Sequence, residues 1–262
     1  PGEGGSSRSP ASHPVRDPWP AFPDMTDSSS RPFRGLWLVV FALAAIAQLA
    51  LVLFRLPAQF AFVSTFLVAP ALAVWVWRSR GPGLLVVTLL LCWVGDVLGN
   101  PRLIGMGPAA FLVSVGAFAA ACVVLIVLFV RSMTRTEPAS RAAGSRRARA
   151  AVGLLYAGAV AAALAAAWGG LDATLRVVGI VYLLLLAVMA TTGFMAAASL
   201  GVGAGLLFAS HLLVSLEVGG VVDGTATAFR LAFWILYLTG ILVIALSMVP
   251  RPARGEAVPA HG

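Results

Sequence analysis

One acidic side chain lies inside a run of residues that is otherwise apolar enough to cross a lipid bilayer. Asp96 stands within the stretch LLLCWVGDVLGN at 89–100, while the other acidic residues fall in the termini or in predicted loops. An ionisable group at the centre of a bilayer costs about 3 kcal/mol on insertion scales and usually marks a proton or substrate path. Asp96 is therefore the first candidate functional residue.

A second ionisable side chain follows at the corresponding place in the second half of the chain. When the sequence is aligned with itself at an offset of 115 residues, LCWVGDVL at 91–98 aligns with LLFASHLL at 206–213, and Asp96 aligns with His211. Both lie about 12 to 16 residues into a predicted helix, or about 18–24 Å at 1.5 Å per residue, so we expect them at similar depth. A carboxylic acid and an imidazole at one site suit general acid–base catalysis. Purely structural roles, with either side chain bonded to neighbouring polar groups, stay open.

The composition indicates the class of protein that carries these residues. Of the 262 residues, 60% are hydrophobic and only 11% are charged, which is outside the usual range of a soluble domain. All eighteen basic residues are arginines, which punctuate apolar runs instead of forming one patch, so they indicate membrane topology and no nucleic-acid partner. The two cysteines fall inside apolar runs, and we expect no disulfide, metal site or cofactor.

Apolar stretches long enough to cross a membrane follow one another almost without pause. About 20 helical residues cross the hydrocarbon core, and eight such stretches are predicted, approximately at 35–54, 58–77, 83–100, 106–130, 151–168, 173–192, 195–216 and 227–249. We therefore predict an all-α membrane protein, an eight-transmembrane helical bundle. The lipid bilayer is its expected environment, as an integral, multi-pass protein of a bacterial-type plasma membrane.

The arginines also predict an orientation, because cytoplasmic loops carry the excess of positive charge. With eight spans, the smaller set of arginines falls on one side: Arg55, Arg102, Arg176 and Arg230. The larger set falls on the other: Arg31, Arg34, Arg78, Arg80, Arg131, Arg135, Arg141, Arg146, Arg147, Arg149, Arg251 and Arg254. Both termini are therefore predicted to be cytoplasmic.

Three segments lie outside the predicted helices. Residues 1–34 are rich in Pro, Ser and Gly and have no apolar core of a signal peptide, so we expect a disordered tail, whose natural start at Met25 stays open. A basic loop at 131–150 divides the transmembrane domain at 35–249 into two four-helix halves, and residues 250–262 form a second predicted disordered tail.

Several short motifs, in order, resemble those of the lysoplasmalogenase-like (YhhN-like) membrane proteins. The residues that carry the resemblance are GDVL at 95–98, GPAAFL at 107–112, VYL at 181–183, Met189 and GAGLLFAS at 203–210. The resemblance extends over about residues 36 to 248. It implies hydrolysis of the vinyl-ether bond of lysoplasmalogens, with a membrane lipid as substrate and paired intramembrane aspartates as catalytic groups.

Carried onto this chain, the resemblance gives Asp96 the role of the first aspartate. His211 follows Ser210 where the family's second aspartate is expected, so the predicted catalytic pair is Asp96 as acid and His211 as base or water-orienting group. The predicted substrate-binding residues are Asn100, Ser210 and Tyr182.

Two other functions stay open. Other polar positions of the family are also changed here, since Val115 and Gly240 stand where a histidine and a glutamine are expected. A non-catalytic paralogue that binds a lipid or a protein partner is the main alternative. A small proton-coupled transporter is the third reading, because an Asp/His pair at one depth suits proton transfer. Homo-oligomerisation also stays open.

Overall fold

The computed structural model describes residues 31–56, 58–99, 107–135 and 146–250, and all regular structure in them is helical. The eight α-helices are α1 (Arg31–Leu53), α2 (Ala58–Arg78), α3 (Gly83–Leu98), α4 (Gly107–Arg135), α5 (Arg146–Ala167), α6 (Ala173–Ala196), α7 (Ala198–Val218) and α8 (Thr227–Met248). A short 3₁₀ turn, Trp168–Gly170, follows α5.

The helix count agrees with the eight apolar stretches of the sequence. Six of the described helices are long and apolar enough to cross a membrane, and shorter apolar helices are found over Ser64–Arg78 in α2 and over Gly83–Leu98 in α3. Helices suit this environment because each backbone N–H and C=O is satisfied within its own segment. The protein is therefore an all-helical, multi-pass membrane protein.

Parts of three predicted segments lie outside the described residues. They are residues 1–30 of the predicted N-terminal tail, residues 136–145 of the basic loop and residues 251–262 of the predicted C-terminal tail. Helix α1 begins at Arg31, so the last four residues of the predicted N-terminal tail, 31–34, are helical instead.

Seven of the eight helices pack as a ring. Along it α1 contacts α2, α2 contacts α3, α3 contacts α4, α4 contacts α6, α6 contacts α7, and α7 contacts α8, which returns to α1. Helix α5 packs outside the ring against α6 and α7. Residues from α3, α4, α6, α7 and α8 therefore face a common interior.

Glycines allow two of the helix crossings in this ring. A Cβ on Gly203 of α7 would lie 2.7 Å from Ile244 Cγ1 and 3.0 Å from the carbonyl oxygen of Gly240, both on α8. A Cβ on Gly201 would lie 2.7 Å from the backbone Cα of Phe194 on α6. Small residues at such contacts let membrane helices approach closely, so α7 is held tightly between α6 and α8.

Two pairs of corresponding helices share their register, whereas α4 and α8 begin 120 residues apart (227 − 107). Helices α2 and α6 begin at Ala58 and Ala173, and helices α3 and α7 begin at Gly83 and Ala198, each pair 115 residues apart (173 − 58 and 198 − 83). In six pairs of residues related by this offset, both members are buried, each in its own half: Gln48 and Ala163, Val68 and Leu183, Leu85 and Leu200, Cys92 and Leu207, Cys122 and Tyr237, Phe129 and Ile244. The offset therefore relates core positions as well as helix starts.

The α7–α8 crossing gives a test of the packing. Gly203→Ala should lower the free energy of unfolding by about 1–3 kcal/mol, the usual cost of overpacking, because its Cβ meets the α8 backbone. Gly153→Ala is the matched control, since a Cβ on Gly153 of α5 meets nothing within 4 Å. Thermal unfolding of both variants in detergent measures the difference. Equal melting temperatures would contradict the close crossing.

Candidate functional site

The carboxyl group of Asp96 has a tyrosine partner from the last helix. Asp96 is partly buried near the end of α3, and the Tyr237 hydroxyl donates a hydrogen bond to its Oδ2 at 2.8 Å. Tyr237 is fully buried on α8. Its hydroxyl also interacts with the thiol of Cys92, one turn before Asp96 on α3. Helices α3 and α8, which are not adjacent in the ring, are thus joined through polar side chains in the bundle interior.

The imidazole of His211 has a different tyrosine partner. His211 on α7 is 7% exposed, and its Nδ1 lies 3.0 Å from the hydroxyl oxygen of Tyr182 on α6. The two helices that carry these side chains also approach closely at Gly201. Two of the predicted site residues, Tyr182 and His211, are therefore in direct contact.

Asp96 and His211 lie at corresponding positions in their helices. Each is 13 residues after the first residue of its helix (96 − 83 and 211 − 198), which corresponds to about 20 Å of helical rise. Among the hydrogen bonds of the described residues, none joins the two side chains directly.

Two aromatic rings lie between Asp96 and His211 in the bundle interior. The Phe118 ring on α4 meets the His211 ring edge-on with centroids 4.9 Å apart, and the Tyr237 ring meets it at 6.1 Å. Phe118 also contacts α3, since a Cβ on Gly95 would lie 2.6 Å from its ring. The interior between the two ionisable side chains therefore holds the rings of Phe118 and Tyr237.

The remaining predicted binding residues are placed differently. Ser210 is fully buried, and its hydroxyl donates to the carbonyl oxygen of Leu207 on its own helix at 2.7 Å, which satisfies it locally. Asn100 lies outside the described residues. The Ser114 hydroxyl of α4 donates to the carbonyl oxygen of Gly95 at 2.7 Å and joins α4 to α3.

A small cleft is lined in part by His211. It has a volume of about 60 Å³ and lies between α4, α5, α6 and α7. Its lining is mostly apolar, and His211, Tyr182 and Ser215 supply the polar side chains. Leu171 and Val218 line it at the end where α5 and α7 terminate. The inner end of the cleft is therefore the His211–Tyr182 pair.

The sequence reasoning missed Tyr237 and Phe118, which complete the site. A signal for both was present, because the 115-residue offset relates Phe118 to Phe233 and Cys122 to Tyr237. Because Cys122 lies in an apolar run, the tyrosine at the corresponding position of the second half is a candidate to place its hydroxyl in the bundle interior.

Among the described residues, no group of three or more His, Cys, Asp or Glu side chains is placed to hold a metal ion.

These features define an all-helical membrane protein with a cluster of ionisable and tyrosine side chains inside its bundle. The chain belongs to the YhhN family, whose family model matches residues 60–248. The match includes Asp96, Tyr182, His211 and Tyr237. Searches of the curated proteins and of the solved structures each find no match.

The Tyr237–Asp96 bond gives a second test. Tyr237→Phe keeps the ring and its packing but removes the donor to Asp96, so the free energy of unfolding should fall by about 1–3 kcal/mol. Tyr156→Phe is the matched control, because among the described residues the Tyr156 hydroxyl has no hydrogen-bond partner. Chemical denaturation in mixed micelles measures both variants. An equal loss in the two would contradict an energetic role for the bond to Asp96.

Proposed function

We propose that the protein is a membrane hydrolase that cleaves the vinyl-ether bond of lysoplasmalogens, with Asp96 as its general acid. The products are a fatty aldehyde and a glycerophospho-alcohol. The observation that carries the proposal is the bond from Tyr237 to Asp96, which fixes a carboxyl group inside the bundle. Membership of the YhhN family supports the substrate class, through the activity that the resemblance implies.

The reaction needs one proton donor and one water molecule. The acid protonates the β-carbon of the vinyl ether, which leaves an oxocarbenium ion at the carbon bonded to oxygen. Water adds to that carbon and loses a proton, and the resulting hemiacetal breaks its bond to the lipid oxygen to release aldehyde and alcohol. An apolar surrounding disfavours the charged form of a carboxyl group, so a neutral acid can be kept there for the first step.

In this proposal the two oxygens of Asp96 have separate tasks. Oδ2 accepts the hydrogen bond from Tyr237, so in this proposal Oδ1 carries the acidic proton. Tyr237 is a positioning residue, because it acts on the substrate only through Asp96. After proton transfer, the carboxylate and the oxocarbenium ion attract each other, which favours the charged intermediate in an apolar surrounding.

His211 takes the part of water-orienting base in the same proposal. Tyr182 holds one ring nitrogen, which leaves the other nitrogen to accept a proton from the attacking water. In inverting glycosidases an acid and a base are held about 6.5–9.5 Å apart to leave room for water, and the proposal requires comparable room between Asp96 and His211. Here the Phe118 ring lies on the His211 side of that space, and it turns aside in the proposal when the lipid enters.

The cellular setting is part of the proposal. The arginine distribution supports cytoplasmic termini, and we place the protein in a plasma membrane of bacterial type. The lipid substrate then enters sideways from the bilayer, because a single-chain lipid keeps its chain among the other chains while its vinyl ether reaches the bundle interior.

One observation favours the non-catalytic alternative. Both ionisable side chains already have tyrosine partners, and aromatic rings occupy the interior between them. A protein that only binds a lipid or a partner would keep this arrangement for stability. Under this reading, lipid hydrolysis is absent in the wild type as well as in the variants.

The general acid gives the most direct test of catalysis. Asp96→Asn keeps the size of the side chain but removes its acidic proton, so aldehyde release from a lysoplasmalogen should fall by about 10²–10⁴-fold. Asp172→Asn is the matched control, because Asp172 is exposed at the start of α6, where it accepts from Leu175 N, and Asn caps helices equally well. Equal rates for wild type and Asp96→Asn would overturn the proposal.

The order of steps makes a further prediction about the product. In D₂O, protonation of the β-carbon should place one deuterium on the carbon next to the aldehyde group. Mass spectrometry of the aldehyde, trapped at once as a hydrazone, measures this label. The saturated alkyl-ether analogue should not react, since it has no double bond to protonate. An unlabelled aldehyde, or cleavage of the saturated analogue, would contradict the mechanism.

A further inference from the structure

We propose that the cleft between α4, α5, α6 and α7 is a water site, through which water from one end of the bundle reaches His211. The role of this water as co-substrate rests on the proposed hydrolase function, whereas the presence of water in the cleft does not. Four observations carry the proposal: the size of the cleft, its polar inner end, its position in the bundle and its counterpart in the other half of the chain.

The size of the cleft fits water. Its volume is about 60 Å³, above the roughly 10–15 Å³ that a cavity needs to hold one water molecule. Sites for drug-sized ligands are larger, about 300–1,000 Å³. Water is therefore the ligand that fits the cleft as it stands.

The inner end of the cleft offers the hydrogen bonds that water needs. His211 is more than nine-tenths buried and lines the cleft, with Nδ1 bonded to Tyr182. Among the described residues, the other ring nitrogen of His211 has no hydrogen-bond partner. The Tyr182 hydroxyl and Ser215 line the same space. Buried water is typically held by about three such polar groups.

The outer end of the cleft lies where polar residues begin. From His211 to Val218 the lining follows α7 for seven residues, about 10 Å of helical rise. Beside this end, Asp172 is exposed, and the Arg176 guanidinium lies 4.9 Å from the centroid of the Trp168 ring. Such a pairing of arginine and tryptophan is typical of the boundary between membrane and water. The cleft therefore extends from that boundary into the site.

The first half of the chain has a hydrogen-bonded side-chain pair where the second half has none. At the offset of 115 residues, Gln48 corresponds to Ala163 and Ser64 corresponds to Gly179. Gln48 and Ser64 are both buried, and the Ser64 hydroxyl donates a hydrogen bond to Gln48 Oε1. Ala163 and Gly179 instead line the cleft, and a Cβ on Gly179 would meet nothing within 4 Å. Ser64 also lines a pocket of about 590 Å³ between α1 and α2, so the comparison concerns this side-chain pair and not the packing of the whole half.

This correspondence provides a side-chain pair that should close the cleft. In the double variant Ala163→Gln with Gly179→Ser, the new side chains can form the hydrogen bond that Gln48 and Ser64 form in the first half. The single variant Gly179→Ser fills less of the cleft, and it replaces the double variant in the experiment if the double variant does not fold. Gly158→Ser is the matched control, since Gly158 is exposed on α5 and a Cβ there meets nothing.

Radiolytic labelling of the full chain in lipid nanodiscs detects the water without any need for activity. Hydroxyl radicals formed from bound water oxidise adjacent tyrosines, and mass spectrometry locates the product. Tyr182, which is 8% exposed, should be oxidised faster than Tyr237, which is 0% exposed and lies outside the cleft lining. In the double variant the rate at Tyr182 should fall to that at Tyr237, while Gly158→Ser should leave it unchanged. Equal rates at the two tyrosines in the wild type would overturn the water site.

The activity assay separates this inference from the proposed function. If the wild type hydrolyses a lysoplasmalogen, the double variant should lose rate in step with its loss of Tyr182 oxidation. Full hydrolysis by a variant whose Tyr182 is no longer oxidised would overturn the role of the cleft in supplying water. Oxidation of Tyr182 in a wild type that hydrolyses no lysoplasmalogen would support the water site and overturn the hydrolase.

Discussion

The hydrogen bond from Tyr237 to Asp96 is the interaction on which the arrangement of this bundle depends. In a bilayer a polar group gains no partner from its surroundings, so it must be satisfied inside the protein or carry the full cost of its burial. Asp96 reaches its donor only if α8 lies across the interior from α3. The requirement of one carboxyl group therefore constrains where a helix can lie whose bonding residue follows 141 positions later.

The glycine crossings make that position attainable. Apolar helices in lipid have little hydrophobic reason to associate, so close van der Waals contact between small residues becomes important. Gly203 and Gly240 bring α7 against α8, and Gly201 brings α7 against α6. Because α7 carries His211, the same contacts place the imidazole beside Tyr182 and beside the Tyr237 ring. Packing and site geometry are thus determined by the same short stretch of α7.

The sequence predicts the helices well because each apolar stretch is a local signal. In the described part of the chain the eight apolar stretches correspond to eight helices, six of them long and apolar enough to cross a membrane. Asp96 and His211, predicted about 12 to 16 residues into their helices, each follow the first residue of the helix by 13 residues. The partner of Asp96 could not be predicted in the same way. Whether the Tyr237 hydroxyl faces lipid or the interior depends on the rotation of α8 about its own axis. That rotation follows from contacts with α7 and α1, and the residue pattern of α8 alone does not predict these contacts.

The two halves of the chain differ in the side chains that they place at one corresponding interior position. At one position the first half buries Gln48 with Ser64, a polar pair that satisfies itself and joins α1 to α2. At the corresponding position the second half has Ala163 and Gly179, which contribute no hydrogen bond and leave a cleft that ends at His211. The change removes an interhelical bond, worth about 0.6 kcal/mol on average between membrane helices. The second half therefore lacks a modest stabilisation at the place where the cleft reaches His211, as expected if this cleft holds water as proposed.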